Sequence, residues 1–245
     1  MKAVGIILAG GSGSRLYPVT KYISKHLLPV FDKPMIYYPI GVLKKIGIKK
    51  ILLITTPKDQ RNYRKVLKNG KEFKVNITYA LQKKPAGIAE AFIIAKKFIR
   101  KSRVVLILGD NIFFGGNLFK ILKRAKHMSE SVIFLKKVSN PKRFGIAYLN
   151  KKKEIIKIIE KPKNPNSNLA VTGIYFYSSD VVNFAEKLVP SKRGELEITD
   201  INNTYLKSNR LKSFILNKNS FWRDAGTFES LLETSKLIKK YNIKI

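Results

Sequence analysis

Gly5-Ile6-Ile7-Leu8-Ala9-Gly10-Gly11-Ser12-Gly13-Ser14-Arg15-Leu16, close to the start of the chain, joins a buried-strand pattern to a small-residue loop. The apolar run over residues 4–8 reads as a strand covered on both faces. It stops at Ala9-Gly10-Gly11, where small residues let backbone come close to a ligand. Successive amide N–H groups in such a loop make an anion-binding concavity. Arg15 adds a permanent, forked positive charge suited to phosphate oxygens. Lys25, in Ser24-Lys25-His26-Leu27-Leu28-Pro29, supplies a second cation for the same region. Two common phosphate motifs do not fit. A Walker loop ends in Gly-Lys-Ser/Thr where this loop has Gly-Ser-Arg, and a dinucleotide fingerprint counted from Gly11 needs Gly where Leu16 stands.

Around this stretch, strand and helix patterns alternate. Residues 35–46 have helical spacing, with Pro39 implying a kink or a late start. Strands are expected over 50–55, 75–80 and 104–108, and helices over 57–67 and 87–99. Such alternation predicts a Rossmann-like α/β fold, with a mostly parallel sheet flanked by helices. Ligands on such sheets bind beyond the carboxyl ends of the strands. The second half changes character: 131–138, 145–149, 155–159 and 171–177 read as closely spaced strands, a β-rich elaboration of the same sheet. Helices over 180–188, 198–207 and 227–241 and a strand over 211–216 complete the pattern.

The length of 245 residues suits one large domain spanning 1–245, and an apolar content of 44% is enough for a proper core. No apolar run reaches transmembrane length, and the start is a strand rather than a signal peptide, so a cytoplasmic protein with no membrane partner is expected. The absence of Cys excludes disulfides, thiolate catalysis and Cys-ligated zinc. The formal net charge is +33, from 49 Lys plus Arg against 16 Asp plus Glu. Such a balance raises nucleic-acid binding as one reading. The excess is spread along the whole length, however, as a generally cationic surface would be. Acidic small-molecule substrates suit it equally. Carboxylates are scarce, so an Asp at the end of an apolar strand stands out.

Asp110 is such a residue, in Val104-Val105-Leu106-Ile107-Leu108-Gly109-Asp110-Asn111. Asp224, in Trp222-Arg223-Asp224-Ala225-Gly226-Thr227, stands just before a helix that Thr227 can cap, which leaves the Asp free. Two carboxylates and a nucleoside triphosphate are the ingredients of a Mg²⁺ site. Gln82 offers both donor and acceptor to a base edge, and Gly87 permits close backbone approach. Glu160-Lys161-Pro162 ends a strand with acid and base side by side. They point to opposite sides unless the backbone turns, and Pro162 favours a turn.

In order, these runs closely resemble the sugar-1-phosphate nucleotidylyltransferases, from residue 3 to about residue 240. The resemblance rests on Leu8 to Leu16, Lys25-His26-Leu27-Leu28-Pro29-Val30, Asp32-Lys33-Pro34-Met35-Ile36, Gly109-Asp110-Asn111, Glu160-Lys161-Pro162 and Gly194-Glu195-Leu196-Glu197-Ile198-Thr199-Asp200. It implies a Mg²⁺-dependent transfer of a thymidylyl group from dTTP to α-D-glucose 1-phosphate, towards dTDP-rhamnose. It also implies a nucleotide-binding half over about 1–130 and a sugar-phosphate half over about 131–245. Carried over by position, Leu8, Gly10 and Gly11 hold the nucleotide, while Gln82 and Gly87 read the pyrimidine. Arg15, Lys25 and Lys161 are the catalytic cations. Gly145, Glu160 and Val171 line the sugar, Lys161 its phosphate, and Asp110 and Asp224 hold the metal. Phe144 stands where the family carries Tyr, and Ala225 where it carries Thr. The length resembles the family's short form, so the resemblance leaves the quaternary arrangement and feedback control of long forms open here; a homo-oligomer is compatible with this reading. A UTP- or CTP-dependent relative, and a basic nucleic-acid-binding protein on the same fold, stand as alternatives.

Overall fold

The computed structural model of the chain describes residues 2–244; the outermost residues of the expected 1–245 span lie outside that range. Thirteen strands and eight α-helices follow one another along the described chain. In the first half these are β1 (Ala3–Ala9), β2 (Pro29–Val30), β3 (Lys33–Pro34), α1 (Tyr37–Lys45), β4 (Lys50–Thr55), α2 (Pro57–Leu67), β5 (Asn76–Leu81), α3 (Glu90–Ile94), α4 (Lys96–Ile99), β6 (Arg103–Leu108), β7 (Asn111–Phe114) and α5 (Leu118–Lys126). The second half holds β8 (Ser131–Lys137), β9 (Gly145–Leu149), β10 (Ile155–Glu160), β11 (Leu169–Tyr177), α6 (Val181–Glu186), α7 (Ile198–Lys207), β12 (Leu211–Ile215), β13 (Phe221–Asp224) and α8 (Phe228–Tyr241).

Nine strands share one mixed sheet, ordered β10-β9-β11-β6-β1-β4-β5, with β8 pairing both β11 and β12. Strands β6, β1, β4 and β5 run parallel, with Ile7 opposite Leu53 on one side and Ile107 on the other. This register brings Gly10 and Gly109 to the same carboxyl edge. Strand β11 runs antiparallel to β6 and ties the second half into the sheet. Neighbouring residues feed opposite faces, as a strand covered on both sides requires. Ile6, Leu52 and Leu106 enter one core with Phe92, Tyr177 and Tyr205. Ile7, Leu53 and Ile107 enter the other with Leu43, Tyr63 and Phe176.

Two sequence readings need correction, and one pair of strands was not foreseen. The single helix expected over 87–99 is two short helices, and it begins later. Gly87 has φ 102°, outside helical space, and its flanks are tied to the loop before α7: Leu196 N–H donates to Ala86 O at 2.8 Å and Ala89 N–H to Leu196 O at 3.1 Å. The apolar stripe survives in Ala91, Phe92, Ala95 and Ile99, all buried. The helix expected over 180–188 is only α6. Residues 111–114 and 221–224, given no element from the sequence, pair as the antiparallel β7–β13 ribbon, over a third apolar cluster that includes Ile112, Phe114, Ala225 and Ile238. Pro39 sits in the first turn of α1, so the late-start alternative holds.

Candidate active site

Strand β6 ends at Leu108, and the chain turns at Gly109 before β7 begins. Asp110 fills that corner, 8% exposed. The register of the ribbon sets Asn111 opposite Asp224, and Ala225 N–H donates to Asp110 O at 2.9 Å. The two Asp residues, distant in sequence, are therefore neighbours. Each is held differently. Asp110 Oδ2 forms an ion pair with Lys25 Nζ, and its Oδ1 accepts from Asn111 Nδ2 at 2.8 Å. Asn111 is fixed in turn, because its Oδ1 accepts from Trp222 Nε1 at 2.6 Å. Burial pushes the Asp110 carboxyl up, but Lys25, His26 and these hydrogen bonds outweigh it and hold the group well below the usual carboxylate range.

Asp224 lies between two guanidinium groups, Arg143 at 3.4 Å and Arg15 at 3.6 Å, and accepts from Gly226 N–H at 3.0 Å. An added Cβ at Gly226 would stand 2.7 Å from the Arg15 guanidinium, the movable end of its side chain, which would have to shift. Burial and the Asp110 charge nevertheless raise the Asp224 carboxyl above its ordinary value. Thr227 caps α8 by accepting from Ser230 N–H at 3.2 Å, which leaves the Asp224 side chain to the site. Two close carboxylates, one disfavoured as an anion by the other, form a donor set that a divalent cation relieves. Among the described residues no third His, Cys, Asp or Glu joins them, so substrate oxygens and water would complete a metal's shell.

A cavity of about 670 Å³ opens beside this pair. Arg15, Asp110, Gly145, Glu160, Lys161, Val171 and Asp224, all singled out from the sequence, line it. Glu160 and Gly145 face each other across β9–β10, and Thr199 donates to Glu160 Oε2 at 2.6 Å. An added Cβ at Gly145 would lie 3.1 Å from the Thr199 hydroxyl, so glycine keeps that bond uncrowded. Burial raises the Glu160 carboxyl, and the Thr199 hydrogen bond opposes the rise. Lys161 takes φ 42°, which turns the backbone and brings its Nζ to 4.0 Å from Glu160 Oε1. The backbone therefore turns at Lys161, the residue before Pro162, as the sequence reading allowed.

Leu8, Gly10, Gly11, Lys25, Gln82 and Gly87 are not in the lining but form an adjoining group. Leu8 O accepts from Gly109 N–H at 2.9 Å. A Cβ at Gly10 would run into Gln82 Oε1, and one at Gly11 would lie 3.4 Å from Lys25 Nζ. Gln82 Nε2 donates to Gly87 O at 3.1 Å and to Glu90 Oε2 at 2.7 Å. Both partners are acceptors, which fixes the amide's orientation. Its donors are therefore engaged, and only its oxygen is left for a base. His26, buried behind Lys25, is held neutral: burial, then Lys25, lowers its pKa to about 3.

Arg143 and Arg193 also belong to the site and were not anticipated. Arg193 forms a fork with both Glu197 oxygens at 2.8 Å and reaches Glu160 at 3.6 Å. In a chain so rich in cations, two more arginines carry no signal of their own. Phe144 packs edge-on against Trp222, with ring centroids 5.2 Å apart, and has no hydroxyl to offer the cavity.

Comparison with known proteins gives a consistent result. The family model for nucleotidyl transferases matches residues 4–241. The glucose-1-phosphate thymidylyltransferase of Neisseria meningitidis serogroup A is 48% identical over 236 residues, 96% of this chain and 82% of its own length. That of Mycobacterium tuberculosis is 47% identical, with the same coverage. Among solved structures, a protein from Bacillus anthracis described as a glucose-1-phosphate thymidylyltransferase, in complex with sucrose, superposes with TM-score 0.90 at 44% identity, covering 99% of this chain and 98% of its own. A UDP-glucose pyrophosphorylase with UDP-glucose gives TM-score 0.85 at 25% identity, covering 98% and 100%.

Proposed function

The chain belongs to the nucleotidyl transferase family and is an enzyme of that class, and on this basis we propose that it catalyses dTTP + α-D-glucose 1-phosphate → dTDP-glucose + pyrophosphate. The observation that carries the proposal is that Asp110 and Asp224, brought together by the β7–β13 ribbon, line one cavity with Glu160, Thr199 and Lys161. The lining thus combines carboxylates and cations suited to metal and phosphate with a carboxylate, Glu160, suited to accept sugar hydroxyls.

An oxygen of the sugar phosphate attacks the α-phosphorus in line, the bond from that phosphorus to the bridging oxygen breaks, and pyrophosphate leaves. No side chain forms a bond to substrate, so positioning and charge neutralisation do the catalysis. Gly10 and Gly11 give their backbone to the nucleotide, beside Leu8. Gln82 offers its oxygen to the pyrimidine, with Gly87 at its side. Arg15 takes the leaving pyrophosphate, and Lys25 the reacting phosphate. Lys161 holds the phosphate of the sugar, whose ring lies between Gly145, Glu160 and Val171. Glu160 Oε1, which Thr199 does not use, accepts a sugar hydroxyl. Asp110 and Asp224 would hold Mg²⁺, which withdraws charge from the reacting phosphate when bound.

Among the described residues no helix is long and apolar enough to cross a membrane. A cytoplasmic enzyme drawing on free nucleotide and sugar phosphate, with a product that feeds dTDP-rhamnose formation, fits this reading. The test is to incubate the protein with dTTP, glucose 1-phosphate and Mg²⁺ and separate the nucleotides by anion exchange. dTDP-glucose should form, and EDTA should stop it. dTTP left intact with Mg²⁺ present contradicts the proposal.

A further inference from the structure

His26 is a buried side chain that the reaction above does not use, set beside both members of its central ion pair. It follows Lys25 in the chain, and its ring lies against Gly109, which precedes Asp110. An added Cβ at Gly109 would stand 2.8 Å from His26 Cδ2. On the other side of the ring, Nδ1 meets the Tyr63 hydroxyl at 2.9 Å, and that hydroxyl meets Ser24 Oγ at 2.7 Å. Both residues that flank Lys25 are thus bound to one hydroxyl, carried in from α2. Tyr63 is 0%, His26 2% and Ser24 5% exposed. Ile36 N–H also donates to His26 O at 2.8 Å, which fixes the backbone at that point.

Three polar groups buried together are costly unless they satisfy one another, and a satisfied network specifies a single arrangement. A lysine side chain is long and rotatable, so the place its ammonium can reach depends on how firmly its backbone is held. We propose that Tyr63, through Ser24 and His26, is a positioning residue that anchors Lys25 from α2 and keeps its ammonium at Asp110. The proposal rests on the reading of Lys25 and Asp110 as groups that act on the substrate.

Tyr63→Phe removes one oxygen and leaves the ring in place. Its kcat should fall about tenfold, as supporting groups around a site commonly cost. KM for glucose 1-phosphate should stay within about twofold, since the sugar's binding energy is untouched. Ser24→Ala, a smaller change at the other end of the same hydroxyl, should act in the same direction. Tyr63→Phe combined with Ser24→Ala should lose little more than the larger single loss, because both act through one connection. A readout independent of turnover is the imidazole NMR spectrum, which has only two histidines to assign. The His26 signal should move in Tyr63→Phe and the His127 signal should not. Lys25→Ala is the control. Wild-type kcat in both Tyr63→Phe and Ser24→Ala, with Lys25→Ala inactive, overturns the positioning role and leaves the reading of Lys25 standing. Wild-type turnover in Lys25→Ala overturns that reading itself.

Discussion

Asp110 and Asp224 carry the same group, yet their surroundings treat its charge in opposite ways. The folded pKa of Asp110 lies below its unfolded value, so its stabilisation is present above the unfolded pKa and is lost as pH falls through the folded one. The folded pKa of Asp224 is raised, so its ionised form costs stability at neutral pH, and that cost disappears as pH falls below the ordinary Asp range. In metal-free buffer at pH 7, Asp110→Asn should therefore lower stability by about 3 kcal/mol, because it strands a buried ammonium. Asp224→Asn should leave Tm unchanged or higher. With Mg²⁺ and both substrates, each variant should lose at least about a hundredfold in turnover. The double variant should lose much less than the product of the two losses, as two ligands of the one proposed ion would. Full multiplicativity would mean the carboxylates act independently. Arg15 belongs at the same scale: its fork cannot be reproduced by an ammonium, so Arg15→Lys should cost at least about tenfold in turnover. Unchanged kinetics in a folded Arg15→Lys protein would place that residue outside the site.

Helix α7 and the loop before it join the two halves of the molecule at one place. Leu196 pairs with both sides of Gly87, Thr199 holds Glu160, and Asn203 spans Ile158, accepting from its N–H at 3.2 Å and donating to its carbonyl at 3.0 Å. A Cβ at Gly87 would stand 2.5 Å from the Leu196 nitrogen, on a backbone with φ 102°. Gly87→Ala should cost about 2 kcal/mol in urea unfolding, because both the strain and the clash fall on backbone. Unchanged stability would mean that this junction is slack. The sequence pattern made β1, β4 and α2 legible because each has one period and clear boundaries. It failed where tertiary contact sets the outcome. The apolar run of β6 is broken by Gly109-Asp110-Asn111, and the three apolar residues that follow in β7 are too few to announce a second sheet. The partner, β13, is four residues long, too short to show alternation. Helix α5 was legible in principle, since Leu118, Leu122 and Ala125 are buried at helical spacing. Gly87 looked like the opening of a helix because its φ and its clamp on Leu196 belong to the fold rather than to its neighbours.

The formal net charge of +33 is a property of the whole molecule, and the site accounts for only a few of its cations. A generally cationic surface predicts weak binding to random duplex DNA that falls steeply with salt through counterion release, as a filter-binding titration can show. Sequence-selective binding that survives physiological salt would favour the nucleic-acid alternative. The site residues gathered at the carboxyl edge were legible as types in sequence, because scarce acids and small-residue loops stand out there. Arg143 and Arg193 were hidden by the same charge excess. The central claim is that this edge transfers a nucleotide to a sugar phosphate and prefers thymidine. The direct measurement is pyrophosphate release with Mg²⁺ across dTTP, UTP, CTP and ATP, with and without glucose 1-phosphate. Release should require the sugar phosphate and be fastest with dTTP. Release that ignores glucose 1-phosphate, or its absence with every nucleotide, would contradict the account.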